Sequence, residues 1–326
     1  MANIRSLLRG AGGFVPGEPI TNADLIVRGI DTSDEWIRER TGIAARHIAP
    51  PGMLTSDLAV RASHAALKYA SMTAADIDLI ILATTTPDLT FPATAVQVQA
   101  ALGCPPGIPA FDIQAVCSGF VYALATADSY LKNGLARRAL VIGAETMSRV
   151  VDWADRSTCV LFGDGAGAAI LEAVPESQAG NHGIIGSILH ADGNHIRKLQ
   201  TDGGVSMNQS AGLLRMEGKE VYRHAVNKLA DVVDEILLKY GIKNDDLAWL
   251  IPHQANIRII ESTAKKLGMS MQQVIVTIAR HGNTSAASVP LALADGITSG
   301  RIKPGDLCLL EAMGGGFTWG ATLLRI

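Results

Sequence analysis

The feature that most constrains this chain is an internal repeat. Four blocks of the first half recur in the second half, in the same order, at shifts of 170, 166, 168 and 153 residues. The paired blocks are IDLIILATTT (77–86) with LAWLIPHQAN (247–256), Cys117–Gly134 with Asn283–Gly300, ALVIGAETMS (139–148) with LCLLEAMGGG (307–316), and GAGAAIL (165–171) with TWGATLL (318–324). Any α/β protein alternates apolar strands and helices, but this order and spacing favour a duplication. The smaller last shift predicts extra residues in the first half, around 149–164.

Each half alternates short apolar runs with helical segments. The predicted strands cover 77–86, 110–116, 138–147, 165–174, 247–256, 307–316 and 318–326, and the predicted helices cover 91–103, 118–134, 219–241 and 283–300. Such alternation is typical of a mostly parallel sheet with helices packed on its faces. Two similar halves, 1–174 and 175–326, therefore predict an α/β fold with five layers, α/β/α/β/α.

Composition excludes several classes of protein. Of 326 residues, 48% are hydrophobic and 18% charged, and the net charge of −3 comes without a long basic run, so nucleic acid is not an expected partner. No apolar run approaches the ~20 residues of a membrane span, and the first residues lack the apolar segment of a signal peptide. The four cysteines have no CxxC spacing, which predicts reduced thiols and a cytoplasmic location.

One cysteine lies where a predicted strand becomes a predicted helix. Cys117 follows the strand 110–116 and directly precedes the segment SGFVYALATADSYLKNG (118–134). The first N–H groups of a helix are unpaired and carry a partial positive charge, which predicts a lowered thiol pKa and a nucleophile at neutral pH. A lone buried cysteine is more often a packing residue. Its partners therefore decide between the two interpretations.

Three further segments supply candidate partners. His253 directly follows a strand, at the end of the sheet where α/β proteins bind ligands. Asn283 opens a predicted helix, although asparagine is also a common N-cap. His281 is a further candidate, at most for positioning. The three glycines in EAMGGGFTWG (311–320) fit a tight turn, or an oxyanion hole built from backbone N–H groups.

Other cofactor motifs are missing from the sequence. The glycines at 314–316 lack the lysine and spacing of a P-loop, and GDGAG (163–167) does not have the GxGxxG pattern of a dinucleotide site. No histidine and cysteine cluster has zinc spacing, so no metal site is predicted.

Taken together, AVCSGF, PHQANIRII, HGNTSAAS and GGGFTWG resemble the β-ketoacyl-acyl carrier protein synthase III family, of thiolase fold. TSDEWIRERTGI (32–43) and DRSTCVLFGDGAGA (155–168) extend the resemblance along essentially the whole chain. It implies condensation of acetyl-CoA with malonyl-acyl carrier protein, giving acetoacetyl-acyl carrier protein, CO2 and free CoA, the first step of fatty acid synthesis. Acyl-CoA is then a substrate, and no metal or redox cofactor is required.

The resemblance also assigns roles to residues. Cys117 is the acylated nucleophile with His253 and Asn283 as partners, and the N–H groups of Cys117 and Gly315 form the oxyanion hole. The CoA-binding residues it implies are Thr32, Trp36, Arg40 and Arg156. It places Phe91 in the acyl pocket of the partner subunit of a homodimer. The implied carrier-protein contacts are Gln254, Arg258, Lys265 and Lys266, with Arg223 as a further candidate; a solvated helix face is the simpler interpretation of each of these alone.

Neighbouring families fit less well. Elongating synthases use a second histidine where Asn283 stands, and thiolases carry a second cysteine where Ala312 and Met313 stand. Plant-type polyketide synthases share the Cys-His-Asn set but are longer and lack the TSDEW stretch. The strongest alternative is a related acyltransferase of a specialised pathway with another acyl-CoA or acceptor. A non-catalytic scaffold is disfavoured because all three residues are present. Ser157 replaces the family's usual glycine, which affects the expected CoA contact.

Overall fold

The computed structural model describes residues 3–326, which contain thirteen strands and twelve α-helices. The strands are β1 (Ile4–Phe14), β2 (Ile20–Thr21), β3 (Ala45–Arg46), β4 (Leu79–Ala83), β5 (Ala110–Ile113), β6 (Arg138–Thr146), β7 (Asp164–Pro175), β8 (Gly183–Ala191), β9 (Leu199–Thr201), β10 (Leu214–Met216), β11 (Trp249–Pro252), β12 (Leu307–Gly314) and β13 (Thr318–Arg325). The helices are α1 (Asn22–Val27), α2 (Asp34–Thr41), α3 (Thr55–Ala70), α4 (Thr94–Leu102), α5 (Gly119–Lys132), α6 (Arg156–Cys159), α7 (Glu176–Ala179), α8 (Val205–Asn208), α9 (Gly218–Tyr240), α10 (Ile257–Lys266), α11 (Ile278–His281) and α12 (Ser288–Thr298).

Two main sheets repeat one strand order. The first runs β1-β7-β6-β4-β5 and the second runs β8-β13-β12-β11. One equivalent pair in each sheet, β4 with β6 and β11 with β12, is parallel, and the other shared pairs are antiparallel. The counterpart of β5 is reduced to one isolated bridge between Leu250 and Val274. The predicted duplication is therefore confirmed in the strand order, while the domain boundary at 174/175 stays a prediction.

The helices complete the five predicted layers. Helices α5 and α12 lie between the two sheets, α3 and α4 cover the outer face of the first sheet, and α9 and α10 cover that of the second. In β4, Leu79 and Ile81 face the central helices while Ile80 and Leu82 face the outer pair. Strands buried on both faces are apolar throughout, which explains the continuous hydrophobic runs of the sequence.

The first strand was missed by the sequence pattern because its glycines suggest a turn. In the structure β1 runs along the edge of the first sheet, and its glycines let α3 pack directly on its backbone. A Cβ atom on Gly12 would lie 2.2 Å from the backbone nitrogen of Ala66, and one on Gly10 would lie 2.5 Å from the carbonyl oxygen of Ala66. Glycine is required here by this close approach of helix and strand.

A short 3-10 turn precedes each central helix, at residues 116–118 and 285–287. Val116 and Ser285 open these turns with nearly identical left-handed backbones, at φ 49° and 48°. Helices α5 and α12 thus begin 169 residues apart, although their ends keep the predicted shift of 166. The structural counterpart of Cys117 is therefore Ala286, and the predicted equivalence of Cys117 with Asn283 is wrong.

Candidate active site

Cys117 lies in the 3-10 turn that leads into α5, and only 5% of it is exposed. Its Sγ atom lies 3.6 Å from the hydroxyl oxygen of Ser285, in the equivalent turn of the other half. Burial raises the pKa of the Cys117 thiol to about 12. The sequence predicted a lower pKa from the helix N-terminus, but desolvation of the thiolate outweighs the other influences on this thiol.

His253 follows the last residue of β11, and its backbone N–H donates to the carbonyl of Glu311 across the parallel pair, at 2.8 Å. Its Nδ1 atom lies 2.5 Å from the hydroxyl oxygen of Ser288, which also accepts the backbone N–H of Gln254 at 3.3 Å. Ser288 can donate its proton to Nδ1, and in that tautomer the ring carries its own proton on Nε2. Burial lowers the pKa of His253 to about 3, so the imidazole is neutral.

Asn283 is held by backbone and side chain together. Its N–H donates to the carbonyl of Leu161 at 2.8 Å, and its own carbonyl accepts from Gly163 at 3.0 Å. The Oδ1 atom accepts the backbone N–H of Ser285 at 2.9 Å. Asn283 thus caps the 3-10 turn through its oxygen, and its Nδ2 group keeps two donor hydrogens.

One cavity brings the three side chains together. It measures about 120 Å³, and Cys117, His253 and Asn283 line it beside mainly apolar neighbours. These neighbours include Leu161, Phe162, Val221, Leu229, Ile259 and Met313. A thiol and two neutral N–H donors in a mainly apolar cleft suit acyl transfer and the stabilisation of a developing oxyanion or enolate.

The glycine run lies against the backbone of Cys117. A Cβ atom on Gly314 would be 2.5 Å from the Cys117 nitrogen, and one on Gly315 would be 2.8 Å from the carbonyl oxygen of Leu199. Only glycine allows the end of β12 to approach the nucleophile this closely. The role of the Gly315 N–H in an oxyanion hole stays a prediction.

Comparisons with known proteins find relatives that match nearly the whole chain. Models of 3-oxoacyl-[acyl-carrier-protein (ACP)] synthase III and of its C-terminal part match residues 111–193 and 237–326. The β-ketoacyl-[acyl-carrier-protein] synthase III of Rhodospirillum rubrum is 59% identical over 99% of both chains, and that of Agrobacterium fabrum 57% over 99% of both. The chain belongs to the β-ketoacyl-[acyl-carrier-protein] synthase III family. It is therefore a condensing acyltransferase of thiolase fold.

Solved structures of the synthase III family superpose closely. The 3-oxoacyl-[acyl-carrier-protein] synthase III of Aquifex aeolicus VF5 has a TM-score of 0.92 and 46% identity, covering 98% of this chain and 100% of that chain. The priming β-ketosynthase of the R1128 polyketide biosynthetic pathway has a TM-score of 0.91 and 34% identity, covering 100% of this chain and 97% of that chain. The fold thus serves more than one biosynthetic context within related enzymes.

The residues that the synthase III resemblance assigns to CoA lie together on the surface. The guanidinium carbons of Arg40 and Arg156 lie 5.0 and 4.9 Å from the centre of the Trp36 ring. Within the described residues, the buried hydroxyl of Thr32 has no hydrogen-bond partner. Ser157 donates its N–H and hydroxyl to the Asp155 carboxylate, at 2.9 and 2.6 Å, so Asp155 caps the N-terminus of α6. The cluster offers a stacking surface and two cations.

The predicted carrier-protein contacts differ in exposure. Gln254 is 1% exposed, and its amide binds the carbonyls of Pro252 and Ile275 and the N–H groups of Thr277 and Ile278. It therefore holds the segment around His253 in place, and its assignment as a carrier-protein contact is wrong. The side chains of Arg258, Lys265 and Lys266 on α10 and of Arg223 on α9 are exposed.

Several exposed cations have local partners. Lys266 pairs with Asp234 at 3.0 Å, and Arg258 donates to the carbonyl of Glu39 at 2.8 Å.

Phe91, predicted to reach a partner subunit, is 82% exposed. Leu89, two residues earlier in the chain, is also exposed. These residues form an accessible surface, whose partners are a matter for experiment.

Sequence reasoning missed the two serines of the site. Ser285 and Ser288 stand in NTSAAS, where hydroxyl residues are typical of a helix start, so the pattern gave no separate signal. The internal repeat offers one signal: α12 begins at Ser288 where the equivalent α5 begins at Gly119, so a hydroxyl is present in only one of the two halves. In the described part of the chain, no three His, Cys, Asp or Glu side chains are grouped as metal ligands. No helix described between residues 3 and 326 has the length and apolarity needed to cross a bilayer.

Proposed function

We propose that this enzyme condenses acetyl-CoA with malonyl-[acyl carrier protein] to give acetoacetyl-[acyl carrier protein], CO2 and CoA, and so initiates fatty acid synthesis. One observation carries the proposal: a thiol and two neutral N–H donors, from Cys117, His253 and Asn283, line the same apolar cavity. Family membership over the whole chain supports the same reaction.

In the first half-reaction the Cys117 sulfur attacks the acetyl thioester. The tetrahedral oxyanion accepts hydrogen bonds from the N–H groups of Cys117 and Gly315, and CoA then leaves. Trp36 offers a flat surface for the adenine, and Arg40 and Arg156 offer charge to the phosphates. The unpartnered hydroxyl of Thr32 is a further donor for CoA.

In the second half-reaction malonyl thioester loses CO2 and leaves an enolate. The enolate oxygen accepts hydrogen bonds from Nε2–H of His253 and from Nδ2–H of Asn283. Its carbon attacks the acetyl carbonyl on Cys117, the bond from that carbonyl carbon to sulfur breaks, and Cys117 leaves as a thiolate that takes up a proton from solvent. Loss of CO2 drives formation of the carbon–carbon bond, so the scheme uses neither a metal nor a redox cofactor, and acyl-CoA is a substrate.

The proposed partners follow from charge and exposure. The carrier protein is acidic, and Arg258, Lys265 and Lys266 give α10 an exposed positive face. Phe91 is so exposed that burial in a partner subunit would remove most of its apolar surface from water. We therefore include a homodimer, working in the cytoplasm, in the proposal.

The test is the intact mass of the purified protein after incubation with acetyl-CoA, beside the Cys117→Ala variant. We expect one added acetyl group in the unmodified sequence and none in the variant. Malonyl-[acyl carrier protein] should then convert the acetyl-enzyme to free enzyme and acetoacetyl product. A protein that gains acetyl groups elsewhere, or releases no condensed product, would overturn the proposal.

The second candidate is an acyltransferase of a specialised pathway. It is favoured by the likeness to the priming β-ketosynthase of the R1128 polyketide pathway, at 34% identity over the full chain. A panel of branched and longer acyl-CoAs separates the two candidates. Labelling of Cys117 by one of these in preference to acetyl-CoA would support the specialised role.

A further inference from the structure

Arg46, the last residue of β3, is a cation that is 0% exposed. Burial lowers its pKa to about 10, so the guanidinium stays charged at neutral pH. Its Nη1 donates to the carbonyl of Ile20 at 3.2 Å and to Oδ1 of Asn22 at 2.8 Å, and its Nη2 donates to the carbonyl of Val160 at 2.7 Å. Within the described residues it forms no ion pair. A buried cation held only by neutral oxygens is costly, so the segments that it joins are informative.

Asn22 connects the guanidinium with both ends of α2. Its Oδ1 accepts from Arg46, while its Nδ2 donates to Oδ1 of Asp34 and to the carbonyl of Ile43, both at 2.8 Å. Asp34 is the first residue of α2, and Ile43 lies two residues beyond its last. Because α2 carries Trp36, this branch determines where the proposed adenine surface stands.

The second branch reaches α6 and the anchor of the enolate donor. Val160 is the C-cap of α6, whose first residue is Arg156. The next residue, Leu161, accepts the backbone N–H of Asn283 at 2.8 Å. The bond from Arg46 to the carbonyl of Val160 therefore holds the junction between a proposed CoA-binding helix and the segment that carries Asn283.

The aliphatic part of Arg46 contacts the same segment. A Cβ atom on Gly163 would lie 3.0 Å from the Cβ of Arg46, and one on Gly282 would lie 3.2 Å from it. Gly163 donates its N–H to the carbonyl of Asn283 at 3.0 Å, and Gly282 directly precedes Asn283 in the chain. Both glycines thus bring the backbone around Asn283 against the arginine side chain.

We propose that Arg46 is a positioning residue that holds three parts of the site in one frame: α2 with Trp36 and Arg40, α6 with Arg156, and the Nδ2 donor of Asn283. The nucleotide end of CoA then stands at a fixed place relative to the enolate donor. One buried side chain thereby affects both the affinity for acetyl-CoA and the rate of decarboxylation, because each depends on accurate placement of groups that Arg46 holds. This inference rests on the proposed function, which supplies the roles of the positioned residues.

Two variants separate the branches. Asn22→Asp keeps an oxygen for Arg46 but loses the Nδ2 donor, so it breaks the link to α2 alone. It should raise the KM for acetyl-CoA about tenfold, while the acetylated enzyme releases labelled CO2 from malonyl-[acyl carrier protein] at an unchanged rate. Arg46→Lys keeps the charge but not the forked donors, so it loosens both branches. It should raise the same KM and also slow CO2 release about tenfold.

Arg138→Met is the matched control. Arg138 is the first residue of β6 and binds Glu172 at 2.8 Å and Asp76 at 3.1 Å. Met147, which lines the cavity, follows the other end of that strand. The control should lower the temperature of thermal unfolding and leave the KM and the CO2 release unchanged.

Three results would overturn the proposal. In the first, Arg46→Lys keeps the KM and the CO2 release of the unmodified protein. In the second, Asn22→Asp slows CO2 release as much as Arg46→Lys does, which would mean that the branches are not separate. In the third, the control loses as much as Arg46→Lys, which would assign the losses to stability.

Amide hydrogen exchange separates this inference from the proposed function, because it needs no substrate. Exchange should become faster in residues 34–43 of Asn22→Asp, and in residues 34–43, 156–163 and 278–285 of Arg46→Lys. These local changes would support the positioning role even if acetyl-CoA does not label the unmodified protein. A uniform increase along the chain would overturn it. If Arg46→Lys does not fold, Asn22→Asp decides through its split between KM and CO2 release.

Discussion

The Nδ1 atom of His253 lies 2.5 Å from the hydroxyl oxygen of Ser288, and the two residues come from different elements, the end of β11 and the start of α12. That hydroxyl also accepts the N–H of Gln254 at 3.3 Å, and it has one proton that it can donate to Nδ1. We infer that Ser288 is a positioning residue, which favours the tautomer with Nε2–H as the donor in the cavity.

Ser288→Ala should slow condensation about tenfold, since one hydrogen bond contributes roughly 1 kcal/mol and its loss frees the imidazole to adopt the other tautomer. Acetylation of Cys117 should change little. The measurement is the single-turnover rate of each half-reaction. Ser63→Ala, which removes a buried hydroxyl bound to Ala59 in α3, is the control and should leave both rates unchanged. Equal losses in the two half-reactions would contradict the positioning role.

His253→Ala and Asn283→Ala should each slow decarboxylation and condensation about 10²-fold, because each removes a donor to the enolate oxygen. Acetyl transfer to Cys117 should continue in both variants. Release of labelled CO2 from malonyl-[acyl carrier protein] and the acetylated mass report the two steps separately. An equal fall of acetylation in His253→Ala would show that this division of roles is wrong.

Acid should destabilise the protein through His253. Its folded-state pKa of about 3 lies below the ordinary value of 6.5, so the unfolded chain takes up the proton first as the pH falls through 6.5. The free energy of unfolding should fall by about 2 kcal/mol between pH 7 and pH 5 from this residue alone. Urea unfolding of the unmodified protein and of His253→Asn measures it. A pH dependence that is the same in both would refute the prediction.

Arg156→Ala should raise the KM for acetyl-CoA about tenfold while kcat stays within a factor of two or so, because a charge-assisted hydrogen bond contributes roughly 1.5–3 kcal/mol. Arg301→Ala is the matched control, since Arg301 also lies over a tryptophan, 4.9 Å from the Trp249 ring centre. Steady-state kinetics at varied acetyl-CoA gives both constants. A loss confined to kcat would place Arg156 outside the CoA site.

Reversing charge on α10 should weaken the carrier-protein complex. In Lys265→Glu with Lys266→Glu we expect the KM for malonyl-[acyl carrier protein] to rise about tenfold at low salt, and the difference to shrink at high salt. The KM for acetyl-CoA should stay constant. Lys303→Glu, an exposed change before β12, is the control. An effect of the control equal to that of the double variant would argue for net charge rather than a docking face.

Much of the fold could be predicted because it depends on periodic patterns. The apolar runs of β4 and β12 and the amphipathic α9 are local signals, and their repetition gave the layered architecture. Strand β1 was missed because Gly10 and Gly12 serve a contact with α3, which no local pattern contains.

The site was predicted only in part for a similar reason. Cys117, His253 and Asn283 carry recognisable motifs, and the structure brings them to one cavity. The pKa of Cys117 is raised by desolvation, and Gln254 is buried by its contacts with Ile275, Thr277 and Ile278; both depend on residues distant in the sequence. Ser285 and Ser288, which contact Cys117 and His253, are equally hard to predict from neighbouring residues alone.

The repeat also has a historical consequence. His253, Cys117 and Ser288 each have a counterpart in the other half of the repeat, and these counterparts are Ala83, Ala286 and Gly119 respectively. A Cβ on Gly119 would lie 3.0 Å from the Cβ of Ala83 and 3.4 Å from the Cβ of Ala286.

These three small residues therefore lie together, just as His253 contacts Ser288 and shares a cavity with Cys117. An ancestor made of two identical halves would have carried two such centres related by a twofold axis. The present chain has one such centre, and at the equivalent positions it has the smallest side chains, so one member of the symmetric pair is a catalytic site and the other is a packing contact.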